Sequence, residues 1–111
     1  MDRTESMTCD GFQITAQSRE NERGGWIAQV EIRHDGRLFA TCNPDTVQPE
    51  WLTEEEANRD GLERGCKLVN HIRQNREDRS WVAIREHAER WFFRVESSRE
   101  AEQIVRDLGA H

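Results

Sequence analysis

Residues Trp26–Arg33 alternate without a break, with Trp26, Ala28, Val30 and Ile32 on one side and Ile27, Gln29, Glu31 and Arg33 on the other. Successive side chains of a strand point to opposite faces, so this run fits a sheet with one buried and one wetted face. A helix would scatter the same residues around its circumference. The next residues, His34-Asp35-Gly36-Arg37, carry an Asp-Gly pair that tolerates the positive φ of a tight hairpin turn. Beyond it Leu38, Ala40 and Cys42 share one face. Upstream, over Gly11–Ser18, Phe12, Ile14 and Ala16 oppose Gln13, Thr15 and Gln17, and Arg19–Gly25 is a charged loop ending in two glycines. Three alternating runs with short links predict an antiparallel meander.

After a loop holding Pro44 and Pro49, Thr53-Glu54-Glu55-Glu56 reads as a capping box. The Thr53 hydroxyl takes an orphan N–H, Glu56 reaches back to the Thr53 N–H, and the three carboxylates suit the positive end of the helix dipole. The predicted helix runs to about Gln74, with Ala57, Gly61, Gly65, Leu68 and Ile72 at helical spacing beside Leu62, Cys66 and Val69. Each interior glycine costs about 1 kcal/mol against alanine. Gly61 and Gly65 both fall on the apolar stripe, which predicts close approach of the helix to the sheet. Glu63 and Arg64 between them exclude a lipid setting for this glycine spacing.

Asn75–Arg79 is a charged break. Trp81–Glu96 has two readings. As a hairpin, Trp81–Glu86 pairs with Arg90–Val95 across His87-Ala88-Glu89; as a helix capped by Ser80, Trp81, Ile84, Ala88 and Trp91 form a stripe. The aromatic and β-branched content favours the hairpin. Ser97-Ser98-Arg99-Glu100 is a second capping box, followed by the stripe Ala101, Ile104, Val105 and Leu108 and by Gly109 as terminator. The expected fold is α+β in the order βββα–ββα: a three-stranded meander plus a hairpin, with two helices on one face.

The 111 residues make one domain, 1–111, with 1–10 as a flexible N-terminal segment. Neither a membrane span of ~20 apolar residues nor an N-terminal apolar leader is visible, which leads to the expectation of a cytoplasmic protein. Cys9, Cys42 and Cys66 are odd in number and widely spaced, so reduced thiols are expected rather than a disulfide framework.

The chain from about Gly11 to Ile72 resembles a family of small uncharacterised bacterial proteins. The shared features are a Gly-aromatic strand start (Gly11-Phe12), Trp-x-Ala-x-Val-x-Ile (Trp26, Ala28, Val30, Ile32) and a Thr-x-Glu-Glu-Ala helix start, here Thr53-Glu54-Glu55-Glu56-Ala57. The resemblance implies a βββα unit and no known activity. The same outline is more weakly similar to the antitoxin half of Hic-type toxin–antitoxin pairs. The Gly-Asp-Thr usual before that helix is Trp51-Leu52-Thr53 here, and no DNA-binding tail is evident.

Chemical motifs are sparse. Cys9, Cys42, Cys66, His34, His71, His87 and His111 contain no Cys-x-x-Cys and no His pair at i, i+4, so no metal site is expected. Gly24-Gly25 and Gly61…Gly65 match neither phosphate-binding loop, so no cofactor is expected either. No catalytic spacing stands out, and the expected class is a non-enzymatic interaction or regulatory module acting on a protein partner or as a homodimer. The net charge of −6 opposes membranes and nucleic acid, but it is uneven. Residues 1–56 hold 5 basic and 12 acidic side chains and residues 57–111 hold 11 and 10. Arg73, Arg76, Trp81, Arg85, Arg90, Trp91 and Arg94 therefore form the candidate interaction surface, and the alternative function is weak binding of single-stranded nucleic acid.

Overall fold

In the computed structural model, which describes residues 4–42, 50–74, 81–95 and 99–109, the three alternating runs pair as expected. They are β2 (Phe12–Glu20), β3 (Trp26–His34) and β4 (Arg37–Cys42). Two further strands complete an antiparallel sheet in the order β1-β2-β3-β4-β5, namely β1 (Thr4–Cys9) and β5 (Phe93–Val95). The helices are α1 (Glu54–Gln74), α2 (Trp81–Arg90) and α3 (Arg99–Gly109). The observed order ββββα–αβα keeps the α+β class and changes its parts.

Two corrections account for the difference. The expected order has no strand before Gly11, whereas Thr4–Cys9 forms one, joined to β2 by a two-residue hairpin. Its turn residues Asp10 and Gly11 have φ of 48° and 85°, matching the second Asp-Gly turn, where Asp35 and Gly36 have 51° and 78°. Both φ values positive is the turn geometry that follows the right-handed twist of the flanking strands. The expected hairpin over Trp81–Glu96 is instead α2 followed by the short β5. The stripe Ile84 and Ala88 is buried, and packing on that stripe outweighs the β-propensity of the segment. Phe92, with φ 67°, closes α2 in the left-handed conformation that a glycine usually supplies, its N–H bonding the Glu89 carbonyl.

In β4 the alternation is broken as well. Ile32 faces Ala40 and Arg33 faces Leu38, which leaves Phe39 as the extra residue of a bulge. Phe39 is fully buried and meets Phe12 edge-on at a centroid distance of 5.4 Å. Among the residues whose burial is described, the aromatic core is Phe12, Phe39 and Phe93, while Trp26, Trp51 and Trp91 are only half-buried.

The start of α1 is fixed from two sides. Trp26 and Trp51 exchange backbone hydrogen bonds of 2.8 Å each way, tying the residues before the helix to the beginning of β3. The Thr53 hydroxyl accepts the Glu56 N–H at 3.1 Å. The Glu56 carboxylate, expected on the Thr53 N–H, instead accepts from the Thr53 hydroxyl at 3.0 Å. The second capping residue, Ser97, lies outside the described residues. From this start α1 lies across β1, β2 and β3, while α3 packs on β4 and α2 on β5.

The glycine expectation is met directly. A Cβ on Gly61 would sit 2.8 Å from both the Ala28 Cβ and the Val30 Cγ2, and one on Gly65 would sit 2.8 Å from the Ile14 Cγ2. The helix backbone therefore lies on the sheet with no side chain between them at these points. Substituting Gly61→Leu or Gly65→Leu is expected to destabilise the fold by roughly 1–3 kcal/mol through overpacking. Gly61→Ala should be worse than Gly65→Ala, because the Ala28 Cβ is fixed to its strand whereas a side-chain rotation can move the Ile14 methyl. Urea unfolding of the four variants checks this, and unchanged midpoints would remove the glycines from the interface.

Candidate interaction site at the first strand

Because β1 is an outer strand, one of its two hydrogen-bonding edges has no strand beside it among the described residues. The register fixes which side chains face the helices: Glu5, Met7 and Cys9 lie opposite the buried Ala16, Ile14 and Phe12. The row Thr4, Ser6 and Thr8 shares the polar outer face with Gln13, Thr15 and Gln17, where the Ser6 and Thr15 hydroxyls are 3.1 Å apart. Met7 is 36% exposed, one of two large exposed hydrophobic residues among those described, the other being Leu52. It opens onto a groove of about 420 Å³ that Arg59, Leu62, Glu63, Cys66, Lys67 and Asn70 of α1 also line. Its lining combines the apolar Met7, Leu62 and Cys66 with the charged Arg59, Glu63 and Lys67.

One of the groove's lining residues, Cys66, meets a second cysteine. The Cys9 and Cys66 sulfurs are 2.6 Å apart although 57 positions separate them in the chain. The Cys9 thiol donates to Asn70 Oδ1 at 3.6 Å, and Asn70 Nδ2 donates to the Cys66 sulfur at 3.7 Å. Burial, the hydrogen bond with Cys66 and the negative charge of Cys66 and Asp10 push the Cys9 thiol from 9.0 up to about 12. The third cysteine, Cys42, is buried and also raised by burial, with the nearby Arg64 pulling the other way. Wide spacing in sequence hid the Cys9–Cys66 pair; the Asp10-Gly11 turn, which folds Cys9 back toward the sheet, was the available signal.

Arg64 is the other residue that the sequence did not single out. It sits on the buried side of α1 at 5% exposure. Its Nε–H donates to Asp60 Oδ2 at 2.9 Å, and Nη1 donates to the Trp91 carbonyl at 3.1 Å. The guanidinium also lies over the Phe92 and Phe93 rings, 5.5 and 5.9 Å from their centroids. This set of contacts latches α1 to the turn between α2 and β5.

The expected Arg/Trp surface is distributed over several elements. Arg85 and Arg90 are exposed on α2, and Arg94 is exposed on β5 between the buried Phe93 and Val95, hence on the outer face of the sheet. Trp91 is half-buried in the turn, with Lys67 Nζ 5.4 Å from its ring centroid. Arg73 stands in the last turn of α1 and Trp81 opens α2, while Arg76 lies outside the described residues. The rings of His71 and His87, 16 positions apart in the chain, meet at 3.7 Å between centroids with their planes tilted by 48°. Among the described residues no cluster of three or more His, Cys, Asp or Glu could hold a metal ion, and no helix is long and apolar enough to cross a membrane.

The sequence pattern of DUF6566, a domain of unknown function, matches residues 2–84, which span β1 to β4, α1 and the start of α2. The chain belongs to this family. Both helix glycines, Arg64 and the Cys9–Cys66 pair of this DUF6566 domain lie within the matched stretch. Neither a curated protein nor a solved structure matches the chain.

Two outcomes follow from these geometries. Arg64→Ala leaves the Asp60 carboxylate and the Trp91 carbonyl without their buried partner, and is expected to destabilise by about 3–5 kcal/mol. A loss under 1 kcal/mol in urea unfolding would contradict the latch. In reducing buffer, the stability gained by holding the Cys9 thiol neutral is complete below pH 9.0 and is lost as pH rises from there toward about 12. Stability above pH 9 should therefore fall more steeply in the parent than in Cys9→Ala, and parallel slopes would contradict the assignment.

Proposed function

We propose that this DUF6566 domain is a small non-enzymatic interaction module, housed in the cytoplasm, that pairs with a second copy of itself through β1. The observation that carries this reading is the open six-residue edge of β1. Edge strands are usually blunted by shortness, by proline or by basic side chains. At the other edge, β5 has only three residues and bears Arg94. β1 is twice as long, and its sequence Thr-Glu-Ser-Met-Thr-Cys holds no proline and no basic residue, its one charge being Glu5.

Self-pairing about a twofold axis also fits the side chains. An antiparallel register centred on Met7 places Met7 against the partner's Met7 and joins the two apolar grooves on the helix side. Glu5 then faces the partner's Cys9, so no like charges stand opposite one another. A closed twofold dimer is the commonest outcome for such an edge. It would combine two five-stranded sheets into one. The free state of Cys9, Cys42 and Cys66 supports the cytoplasmic setting.

Sedimentation at micromolar protein tests the proposal. The expected mass is twice the 13.1 kDa of the chain. Met7→Lys, which sets two cations together at the twofold axis, should return it to the monomer mass with an unchanged far-ultraviolet circular dichroism spectrum, and the parent's melting temperature should rise with protein concentration while the variant's does not. A monomeric parent at low and moderate salt would overturn the proposal. So would salt-sensitive binding of a single-stranded oligonucleotide by a monomer, lost on Arg85→Ala with Arg90→Ala, because it would assign the function to α2 instead.

A further inference from the structure

We propose that Cys9 and Cys66 are a redox-active thiol pair that closes to an intrachain disulfide by exchange with a low-molecular-weight disulfide. The pair does not depend on the pairing of β1 with a second copy. Its geometry is that of two thiols already collected at one point. The sulfurs are 2.6 Å apart, so closing to a bond of about 2.05 Å needs a movement of roughly half an ångström. Cys42 cannot compete for either partner, since it is buried beside Arg64 Nη1 at 3.7 Å.

The surroundings assign the order of events. Cys66 lines the groove together with Met7, Leu62 and Asn70, so an incoming disulfide reaches its sulfur first. The Asn70 amide orients both thiols: its N–H points to the Cys66 sulfur at 3.7 Å and its carbonyl takes the Cys9 S–H at 3.6 Å. The Cys66 thiolate attacks one sulfur of the small disulfide. That S–S bond breaks, one thiolate leaves and takes up the Cys66 proton through water, and a mixed disulfide forms on Cys66. The Cys9 sulfur, losing its own proton, then attacks the Cys66 sulfur and expels the second small thiol. Two electrons pass from the protein to the reagent, and the two protein protons end on the two small thiols. The high affinity of Cys9 for its proton makes it a poor leaving group, so the closed bond resists reduction once made.

Closing the bond fastens β1 to α1 across 57 positions of chain. A loop of that length removes much of the freedom of the unfolded chain, and the melting temperature should rise by on the order of 10 °C.

Oxidised glutathione is the probe. The parent protein, equilibrated with an excess, is expected to become two hydrogens lighter with no glutathione retained, and peptide mapping should join Cys9 to Cys66 while Cys42 remains alkylatable after unfolding. Dithiothreitol should restore both thiols and the lower melting temperature. Under the same conditions Cys9→Ser should hold one glutathione on Cys66, and Cys66→Ser should label far more slowly at Cys9. Free thiols at equilibrium, a stable mixed disulfide in the parent, or a bond between two chains would each overturn the proposal. Equal labelling rates in the two variants would overturn the assigned order. The mapping uses the unaltered protein, so a variant that fails to fold leaves the main test intact.

Discussion

At Gly61 and Gly65 the backbone of α1 lies directly on Ala16, Ala28, Val30 and Ile14, with no side chain between helix and sheet. The two glycines weaken the helix by about 1 kcal/mol each. The contact they permit is repaid by apolar burial, because Leu68, Val69 and Ile72 farther along α1 are lowered onto the same surface, at roughly 1.5–3 kcal/mol for each large side chain. A helix held this close also carries its neighbouring positions inward. Arg64, beside Gly65, is drawn into the interior, and Cys66 is brought against Cys9. One helix thereby touches both ends of the sheet, reaching β1 through Cys66 and the α2–β5 turn through Arg64.

Arg64 shows why a charge can occupy such a place. A buried guanidinium is tolerated only when its donors and its charge are answered locally. Here Asp60, one helical turn earlier, supplies the opposite charge, the Trp91 carbonyl takes a donor, and the Phe92 and Phe93 rings offer their faces. The turn that receives it contains Phe92 in a left-handed conformation that costs a non-glycine residue roughly 1–2 kcal/mol. Arg64 and this turn hold one another: the latch fixes the strained residue, and the turn delivers a carbonyl and two aromatic faces to the buried cation.

The parts legible in the sequence were those governed by local rules. Alternation located β2 and β3, the Asp35-Gly36 pair located a turn, Thr53 located the start of α1, and glycines on an apolar stripe foretold the helix–sheet contact. What failed depended on neighbours far along the chain. β1 has no apolar alternation, since its inward row is Glu5, Met7 and Cys9, and only the Asp10-Gly11 turn marked it. The bulge at Phe39 shifts the face of every residue before it, which a strict period of two cannot register. Trp81–Arg90 carries both a strand-like composition and a helical stripe, and the burial of Ile84 and Ala88 decided between them. Of the candidate site, the Arg/Trp residues were visible but not their dispersal over α2, β5 and the turn between them, while Arg64 and the Cys9–Cys66 pair are products of the tertiary contact.

An open edge strand, an exposed methionine and a thiol pair thus stand together at one end of the molecule because α1 is seated where it is. The seating itself is tested most directly by a double-mutant cycle between Gly61→Ala and Ala28→Gly. If the helix backbone rests on Ala28, removing the Ala28 methyl makes room for the one added at Gly61. The destabilisation of the double variant should then fall short of the sum of the single losses by about 0.5–3 kcal/mol in urea unfolding. Strict additivity of the two losses would mean that α1 does not touch the sheet at Gly61.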